Sequence, residues 1–113
     1  MAQLDSIIHQ PVRLQIMSSL GALGLDEQVD FACLRNLLKV TDGNLGAHLA
    51  RLEEAGYIRI DKAFVDRKPK TFVSATDKGR DAFAGHVGAL EAILRRPTDR
   101  AFLQAIYKRP PGF

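Results

Sequence analysis

Residues 41–57 read Thr41-Asp42-Gly43-Asn44-Leu45-Gly46-Ala47-His48-Leu49-Ala50-Arg51-Leu52-Glu53-Glu54-Ala55-Gly56-Tyr57. Thr41 is a favourable N-cap, because its hydroxyl can accept a hydrogen bond from an amide of the first helical turn. Leu45, Leu49 and Leu52 recur at helical spacing and form one narrow apolar stripe. Gly56 is a typical helix terminator, and the residues after it alternate as a strand does. The segment therefore predicts a helix followed by a strand.

The helix face opposite these leucines carries small or hydrogen-bonding groups. It comprises Gly43, Asn44, Ala47, Ala50, Arg51 and Glu54. A helix that enters the major groove of DNA needs such a face, since its backbone must come close to the bases and a few side chains must reach base edges. An ordinary amphipathic surface helix would carry the same pattern, so the neighbouring segments must decide between the two interpretations.

Length and composition describe one small globular domain. A chain of 113 residues is long enough for a single core. It has no secretion signal pattern and no apolar run near the ~18 residues that a membrane span requires. The single cysteine, Cys33, excludes an internal disulfide framework and fits a reducing compartment. These features predict a cytoplasmic protein without membrane association.

The positive charge is concentrated in the middle of the chain. The net charge is +3. Residues 1–34 hold one Arg against four acidic residues, whereas residues 35–80 hold ten Lys and Arg against six acidic residues. The basic excess therefore accompanies the predicted helix and the strands after it, as expected for a protein that binds a polyanion.

Two further helices are predicted before residue 41. The first runs from about residue 11 to residue 23, starts at a proline and has an apolar face through Val12, Ile16 and Leu20. A very short strand at residues 29–31 leads into the second helix, residues 31–39, which Asp30 caps and whose Leu34, Leu37 and Leu38 are predicted to face inward. Only residues 39–41 separate this helix from the next, which predicts a helix-turn-helix with the later helix in the reading position.

A β-hairpin with a basic tip is predicted after the reading helix. Residues 57–65 alternate as a strand, residues 66–70 are polar and turn-like, and residues 71–75 form the returning strand. Arg67, Lys68 and Lys70 cluster at the tip, where they repel one another unless a polyanion lies between them. The expected fold is thus mostly α with a small β-hairpin: a winged helix-turn-helix, residues 1–76.

The C-terminal part is predicted to be a helical dimerisation extension, residues 77–113. Thr76 caps a helix from Asp77 to about residue 95, and a second short helix follows. The apolar seam is too extensive for a helix that lies alone on the surface, so it packs on the domain or pairs with a second copy. The predicted dimer residues are Phe83, Val87, Leu90, Ile93, Leu94, Phe102, Leu103 and Ile106.

The chain resembles the small, single-domain winged-helix transcriptional regulators of the ArsR/MarR type. The resemblance covers about residues 5–80 and rests on His9-Gln10-Pro11-Val12-Arg13-Leu14-Gln15-Ile16, Leu34-Arg35-Asn36-Leu37-Leu38, residues 41–57 and Thr76-Asp77-Lys78-Gly79-Arg80. It implies a homodimer that binds a pseudo-palindromic operator and usually represses. Metal-sensing members carry paired cysteines at positions that correspond here to Asp30 and Ala32, so metal sensing through that site is not expected.

Histidine and cysteine provide no metal or catalytic site in the sequence. Cys33 is predicted to be a small buried apolar residue. His9, His48 and His86 lack metal-ligand spacing, so neither a metal nor a cofactor is expected. Arg13 is assigned either to the DNA or to an acidic partner within the domain. No phosphate-binding loop, nucleophile elbow or carboxylate pair is present, so the chain is not expected to be an enzyme.

The sequence therefore predicts a regulator that binds double-stranded DNA, without identifying a small-molecule effector. Asp42 argues against this prediction, because its charge disfavours nearby phosphates unless it accepts a hydrogen bond from a cytosine amino group. The alternative function is a winged-helix module whose basic wing binds an acidic protein surface. The predicted DNA-binding residues are Thr41, Gly43, Asn44, Ala47, His48, Arg51, Arg67, Lys68 and Lys70.

Overall fold

A computed structural model describes residues 3–95, which form a helical domain with a three-stranded antiparallel sheet. The elements in chain order are α1 (Pro11–Gly21), β1 (Val29–Asp30), α2 (Phe31–Leu38), α3 (Asp42–Glu54), β2 (Ile58–Val65), β3 (Lys68–Ala75) and α4 (Asp77–Leu94). Across residues 3–95, no helix combines the length and apolar character needed to cross a membrane. The expected winged-helix fold is confirmed.

Polar caps fix the starts of the helices. The Gln10 side chain accepts a hydrogen bond from the amide of Arg13 at the start of α1, and Asp30 accepts from the amide of Ala32 at the start of α2. Each bond pairs an amide that has no partner within the helix. α1 ends at Gly21, two residues before the predicted end. The predicted cap of α2 by Asp30 is confirmed.

The inward position predicted for Leu37 is wrong. The core-facing side of α2 carries Phe31, Leu34 and Leu38, and Leu34 is completely buried. Leu37 lies off this line and is 66% exposed. Because α2 has only eight residues and packs along one narrow line, it cannot bury all three leucines.

The sheet has the strand order β1-β3-β2. The short strand before α2 therefore pairs with β3 and adds a third strand to the β2–β3 hairpin. Its turn consists of Asp66 and Arg67 alone, both with positive φ (51° and 65°). The predicted five-residue turn was therefore too long, and β3 starts at Lys68 rather than at residue 71. β3 includes Pro69, because at this point β3 pairs only with β2 and a free strand edge tolerates proline.

The core lies between the first three helices and one face of the sheet. Leu45, Leu49 and Leu52 of α3 face it as predicted, together with Ile58 and Val73 of the sheet. Burial of each large side chain stabilises the fold by roughly 1.5–3 kcal/mol. The leucines therefore hold α3 with its opposite face in solvent.

The start of α4 is locked to the end of α3. The Thr76 hydroxyl accepts a hydrogen bond from the Gly79 amide (3.0 Å) and donates one to the Gly56 carbonyl (2.6 Å), while the Thr76 amide donates to the Tyr57 carbonyl (3.1 Å). Gly79 packs directly on this strand entry, where a Cβ would lie 1.9 Å from the Tyr57 carbonyl oxygen. α4 can approach α3 this closely only because residue 79 has no side chain.

Candidate nucleic-acid interface

The solvent face of α3 has the shape and chemistry that groove entry requires. The Thr41 hydroxyl accepts a hydrogen bond from the amide of Asn44 (3.1 Å), so the predicted cap is confirmed. Asn44, Ala47 and Arg51 lie on the side away from the core. Gly43 lies in open space, with nothing within 4 Å of a built Cβ. Small residues thus leave the backbone accessible beside two side chains that can make hydrogen bonds.

Two acidic residues of α3, Asp42 and Glu54, are paired with arginines. Arg35 of α2 donates to Asp42 at 2.7 Å, which neutralises the carboxylate that would otherwise repel phosphates. Arg51 lies 3.8 Å from Glu54, and both side chains are largely exposed. Such an exposed pair contributes little to stability, so Arg51 can exchange Glu54 for another acceptor at small cost.

The three cations of the hairpin are not equivalent. Arg67 occupies the turn, and Lys68 is the first residue of β3. Within residues 3–95, neither of these two side chains forms an ion pair. Lys70 differs, because its Nζ lies 3.5 Å from a carboxylate oxygen of Asp30. Lys70 is therefore partly compensated within the domain, unlike Arg67 and Lys68.

His48 lies at the edge of the solvent face of α3, against α1. Its Nδ1 is 3.1 Å from Nη1 of Arg13, whose Nε donates to the carbonyl of Ile7 (2.5 Å). Burial and the nearby guanidinium charge lower the pKa of His48. Arg13 therefore interacts with a neutral imidazole. Among the described residues no acidic side chain pairs with it, so the acidic partner considered for Arg13 is ruled out within residues 3–95.

A polar cluster around the buried His86 ties the N-terminal segment to α4. The amide of Asp5 donates to Nδ1 of His86 (2.9 Å), and Tyr57 donates its hydroxyl proton to the Asp5 carboxylate (2.5 Å). The ring of His9 lies 5.2 Å from that of His86. His86 is only 1% exposed, and its Nε2 is buried without a hydrogen-bond partner among residues 3–95. No sequence pattern indicated this cluster, because its members are far apart along the chain.

The pKa values of this cluster follow from burial and hydrogen bonding. Burial and the neighbouring His9 lower the pKa of His86, against the opposing effect of Asp5. Burial opposes ionisation of Asp5, but hydrogen bonds from Tyr57 and from two backbone amides outweigh it and lower the pKa of Asp5. The same Asp5 hydrogen bond, with burial, raises the pKa of Tyr57 to about 12. At neutral pH the imidazole of His86 is therefore neutral and the carboxylate of Asp5 is ionised.

Cys33 is exposed, so the prediction of a buried residue is wrong. It lies on the outer side of α2, one turn from Leu37, because the core-facing line of this helix passes elsewhere. In the region from residue 3 to residue 95, no group of three or more His, Cys, Asp or Glu side chains is arranged to hold a metal ion.

The predicted dimer seam lies on one flank of α4. Gly79, His86 and Ala89 are buried against the domain. Phe83, assigned to the seam, instead packs on the protomer's own core, with its ring 3.5 Å from a Cβ built on Gly21. The rest of the seam becomes steadily more exposed along the helix. Val87 and Leu90 are half-buried, and Ile93 and Leu94 are 47% and 78% exposed. Phe102, Leu103 and Ile106 lie outside the described residues.

These features define a small winged-helix transcriptional regulator with a solvent-facing reading helix. The family model for the winged helix DNA-binding domain matches residues 12–94. An uncharacterised protein of Methanocaldococcus jannaschii is 37% identical over 81 residues, which span 72% of this chain and 85% of that protein. The chain belongs to the winged helix DNA-binding domain family. This is a DNA-binding family, not an enzyme family, as the sequence predicted.

Solved structures share the fold. A transcriptional regulator homologue from Pyrococcus horikoshii has 33% sequence identity and a TM-score of 0.71, and the match covers 78% of this chain and 84% of that one. The transcriptional regulator BldR from Sulfolobus solfataricus has 20% identity and a TM-score of 0.62, with coverage of 88% and 71%. At 20% identity, the likeness to BldR is one of fold alone.

Proposed function

We propose that this protein is a cytoplasmic repressor that binds a pseudo-palindromic operator in double-stranded DNA as a homodimer. The observation that carries the proposal is the solvent face of α3, which combines accessible backbone at Gly43 and Ala47 with the side chains of Asn44 and Arg51. In this arrangement Thr41, Gly43, Asn44, Ala47 and Arg51 lie at the major groove, where side-chain amides and guanidinium groups read base edges. Likeness to the Pyrococcus horikoshii regulator homologue supports it.

The wing, which is the hairpin of β2 and β3, supplies contacts that do not depend on the base sequence of the DNA. Arg67 and Lys68 are exposed at the hairpin tip and form no ion pair within residues 3–95, so they can bind phosphates without first breaking one. Lys70 must leave Asp30 to do the same. We therefore assign the larger electrostatic share of binding to Arg67 and Lys68 and a smaller share to Lys70.

Dimerisation would use the flank of α4 that carries Leu90, Ile93 and Leu94, together with Phe102, Leu103 and Ile106. Exposed apolar residues in one row favour a second copy, because two such rows bury each other. In this proposal residues 1–76 read DNA and residues 77–113 join the protomers.

The second candidate is a module that binds an acidic protein surface through the wing. It is favoured by Phe64, which is 79% exposed beside the cations of the hairpin and offers an apolar contact. A salt-sensitive shift on random duplex DNA supports the first function. Absence of DNA binding by a protein that still dimerises supports the second.

Arg67→Gly tests the contribution of one wing cation to DNA binding without destabilising the fold. Positive φ costs a non-glycine residue roughly 1–2 kcal/mol, so glycine should raise the free energy of unfolding slightly while it removes the cation. Binding to random duplex DNA should weaken, and the negative slope of log K against log salt should become less steep by up to ~0.9, the share of one bound phosphate. Thermal unfolding and fluorescence anisotropy over a salt series measure the two effects.

Arg95→Gln is the matched control, since it removes the same charge from the far end of α4, where Arg95 pairs only with Glu91 among the described residues. It should leave the salt slope at the wild-type value. A wild-type slope in Arg67→Gly would mean that the wing tip does not touch DNA.

A further inference from the structure

Arg13 is a half-buried cation that lacks a carboxylate partner among residues 3–95. Its Nε donates to the Ile7 carbonyl, and its Nη1 contacts Nδ1 of His48. These two contacts fix the orientation of the guanidinium between α1 and α3 but do not neutralise its charge. A cation held in this way is suited to an anion that comes from outside the domain.

The contact with Arg13 determines which nitrogen of His48 carries the proton. A guanidinium only donates hydrogen bonds, so Nδ1 of His48 must accept and Nε2 must carry the hydrogen of the neutral ring. Nε2 makes no hydrogen bond within the described residues. His48 as a whole is half-buried, and within residues 3–95 its Nε2 is not among the fully buried side-chain atoms that lack a partner. His48 therefore presents an N–H donor to solvent next to the charge of Arg13.

With α3 in the major groove as proposed above, the pair would lie beside the DNA backbone. On α3, His48 stands between the buried leucines and the face of Asn44 and Arg51, on the side covered by α1. An α-helix with its side chains is about 10–12 Å wide, and the major groove is about 12 Å wide. Residues on the flank of a reading helix therefore meet the phosphates at the rim of the groove, not the bases.

We propose that Arg13 and His48 together bind one phosphate of the DNA backbone at the rim of the major groove. His48 Nε2–H donates to a phosphate oxygen, and Arg13 supplies the charge and holds the tautomer of His48. The inference rests on the proposed function, and it adds Arg13, for which the sequence left both DNA and an acidic partner open. It also limits the role of His48 to a neutral donor.

The test compares three variants on a random-sequence duplex over a salt series. Arg13→Gln removes the charge and should make the negative slope of log K against log salt less steep by about 0.9, the value for one phosphate. His48→Asn places an amide oxygen where Nδ1 was, so Arg13 keeps a partner while the outer donor is removed. It should weaken binding about tenfold, as expected for one hydrogen bond to a charged group, with an unchanged slope. Arg13→Lys should keep the slope.

Further measurements distinguish binding from folding. Nitrogen-15 NMR of the imidazole should show the Nε2–H tautomer in the wild type and a mixture of tautomers in Arg13→Gln. Arg95→Gln again serves as the control for removal of a distant charge. Thermal unfolding shows whether each variant is folded. If Arg13→Gln is unfolded, the DNA affinity of His48→Asn relative to the wild type tests the phosphate site.

Failure of the proposed function and failure of the phosphate site give different results. If the wild type shows no salt-dependent binding to duplex DNA, the proposed function is wrong and this inference fails with it. If the wild type binds but Arg13→Gln keeps the wild-type slope, or His48→Asn keeps the wild-type affinity, only the phosphate site is wrong.

Discussion

Gly79→Ala is expected to destabilise the domain more than any other single methyl addition on α4. The new Cβ would lie 1.9 Å from the Tyr57 carbonyl oxygen and 2.7 Å from its carbonyl carbon. Both atoms are backbone, so neither can move without shifting the entry to β2. Overpacking of this kind costs about 1–3 kcal/mol, and a backbone clash belongs at or above the upper limit. For a domain of this size we expect the melting temperature to fall by more than about 10 °C.

Gly85→Ala is the matched control on the same helix. Nothing lies within 4 Å of a Cβ built at residue 85, and alanine is preferred over glycine in a helix by about 1 kcal/mol. This variant should be as stable as the wild type or more so. If Gly79→Ala melts at the same temperature as Gly85→Ala, then α4 does not pack on Tyr57 as described.

Leu90→Asp is expected to convert the proposed dimer into a monomer. The charge would lie at the centre of the seam, where burial without a partner is unfavourable. A monomer contacts one half-site, so binding to a two-half-site operator should weaken by at least about a hundredfold. Sedimentation gives the mass, and anisotropy on the operator gives the affinity.

Two further variants keep this prediction testable if Leu90→Asp impairs folding, since Leu90 is half-buried. Leu94→Asp changes a residue that is 78% exposed on the same flank, so the protomer should stay folded while the dimer weakens. Ala84→Asp adds the same charge on an exposed part of α4 away from the seam and should remain dimeric. A monomeric wild type at micromolar concentration, or a dimeric Leu94→Asp, would contradict the proposed interface.

The reading helix could be predicted from sequence because its signals are local. The cap at Thr41, the leucine stripe and the terminating Gly56 all act within a few residues, and the structure confirms each of them. The hairpin was predicted less accurately. Its two-residue turn uses Asp66 and Arg67 with positive φ in place of the usual Asn-Gly, so the local signal was absent.

Contacts that depend on tertiary packing could not be predicted. Arg13 contacts His48 only because α1 packs across α3, and no local sequence pattern indicates how these two helices are packed. Gly79 appeared in the motif that carried the family resemblance, but its role depends on the position of the Tyr57 carbonyl. Burial of Cys33 was predicted from residue type, whereas the narrow contact line of α2 decides its exposure.

The central claim is that the exposed face of α3 reads DNA sequence. Asn44 and Arg51 carry that claim, because a bidentate base contact is worth about 1–3 kcal/mol of discrimination. The direct measurement is selection of duplexes from a random pool, run in parallel with the wild type, Asn44→Ala and Arg51→Ala.

The wild type should enrich an inverted repeat whose half-site centres lie about 34–36 Å apart or a multiple of that distance. Asn44→Ala and Arg51→Ala should each relax the preference at particular positions of the half-site. Enrichment of no sequence by the wild type, or of one unchanged sequence by all three proteins, would contradict sequence reading by this helix.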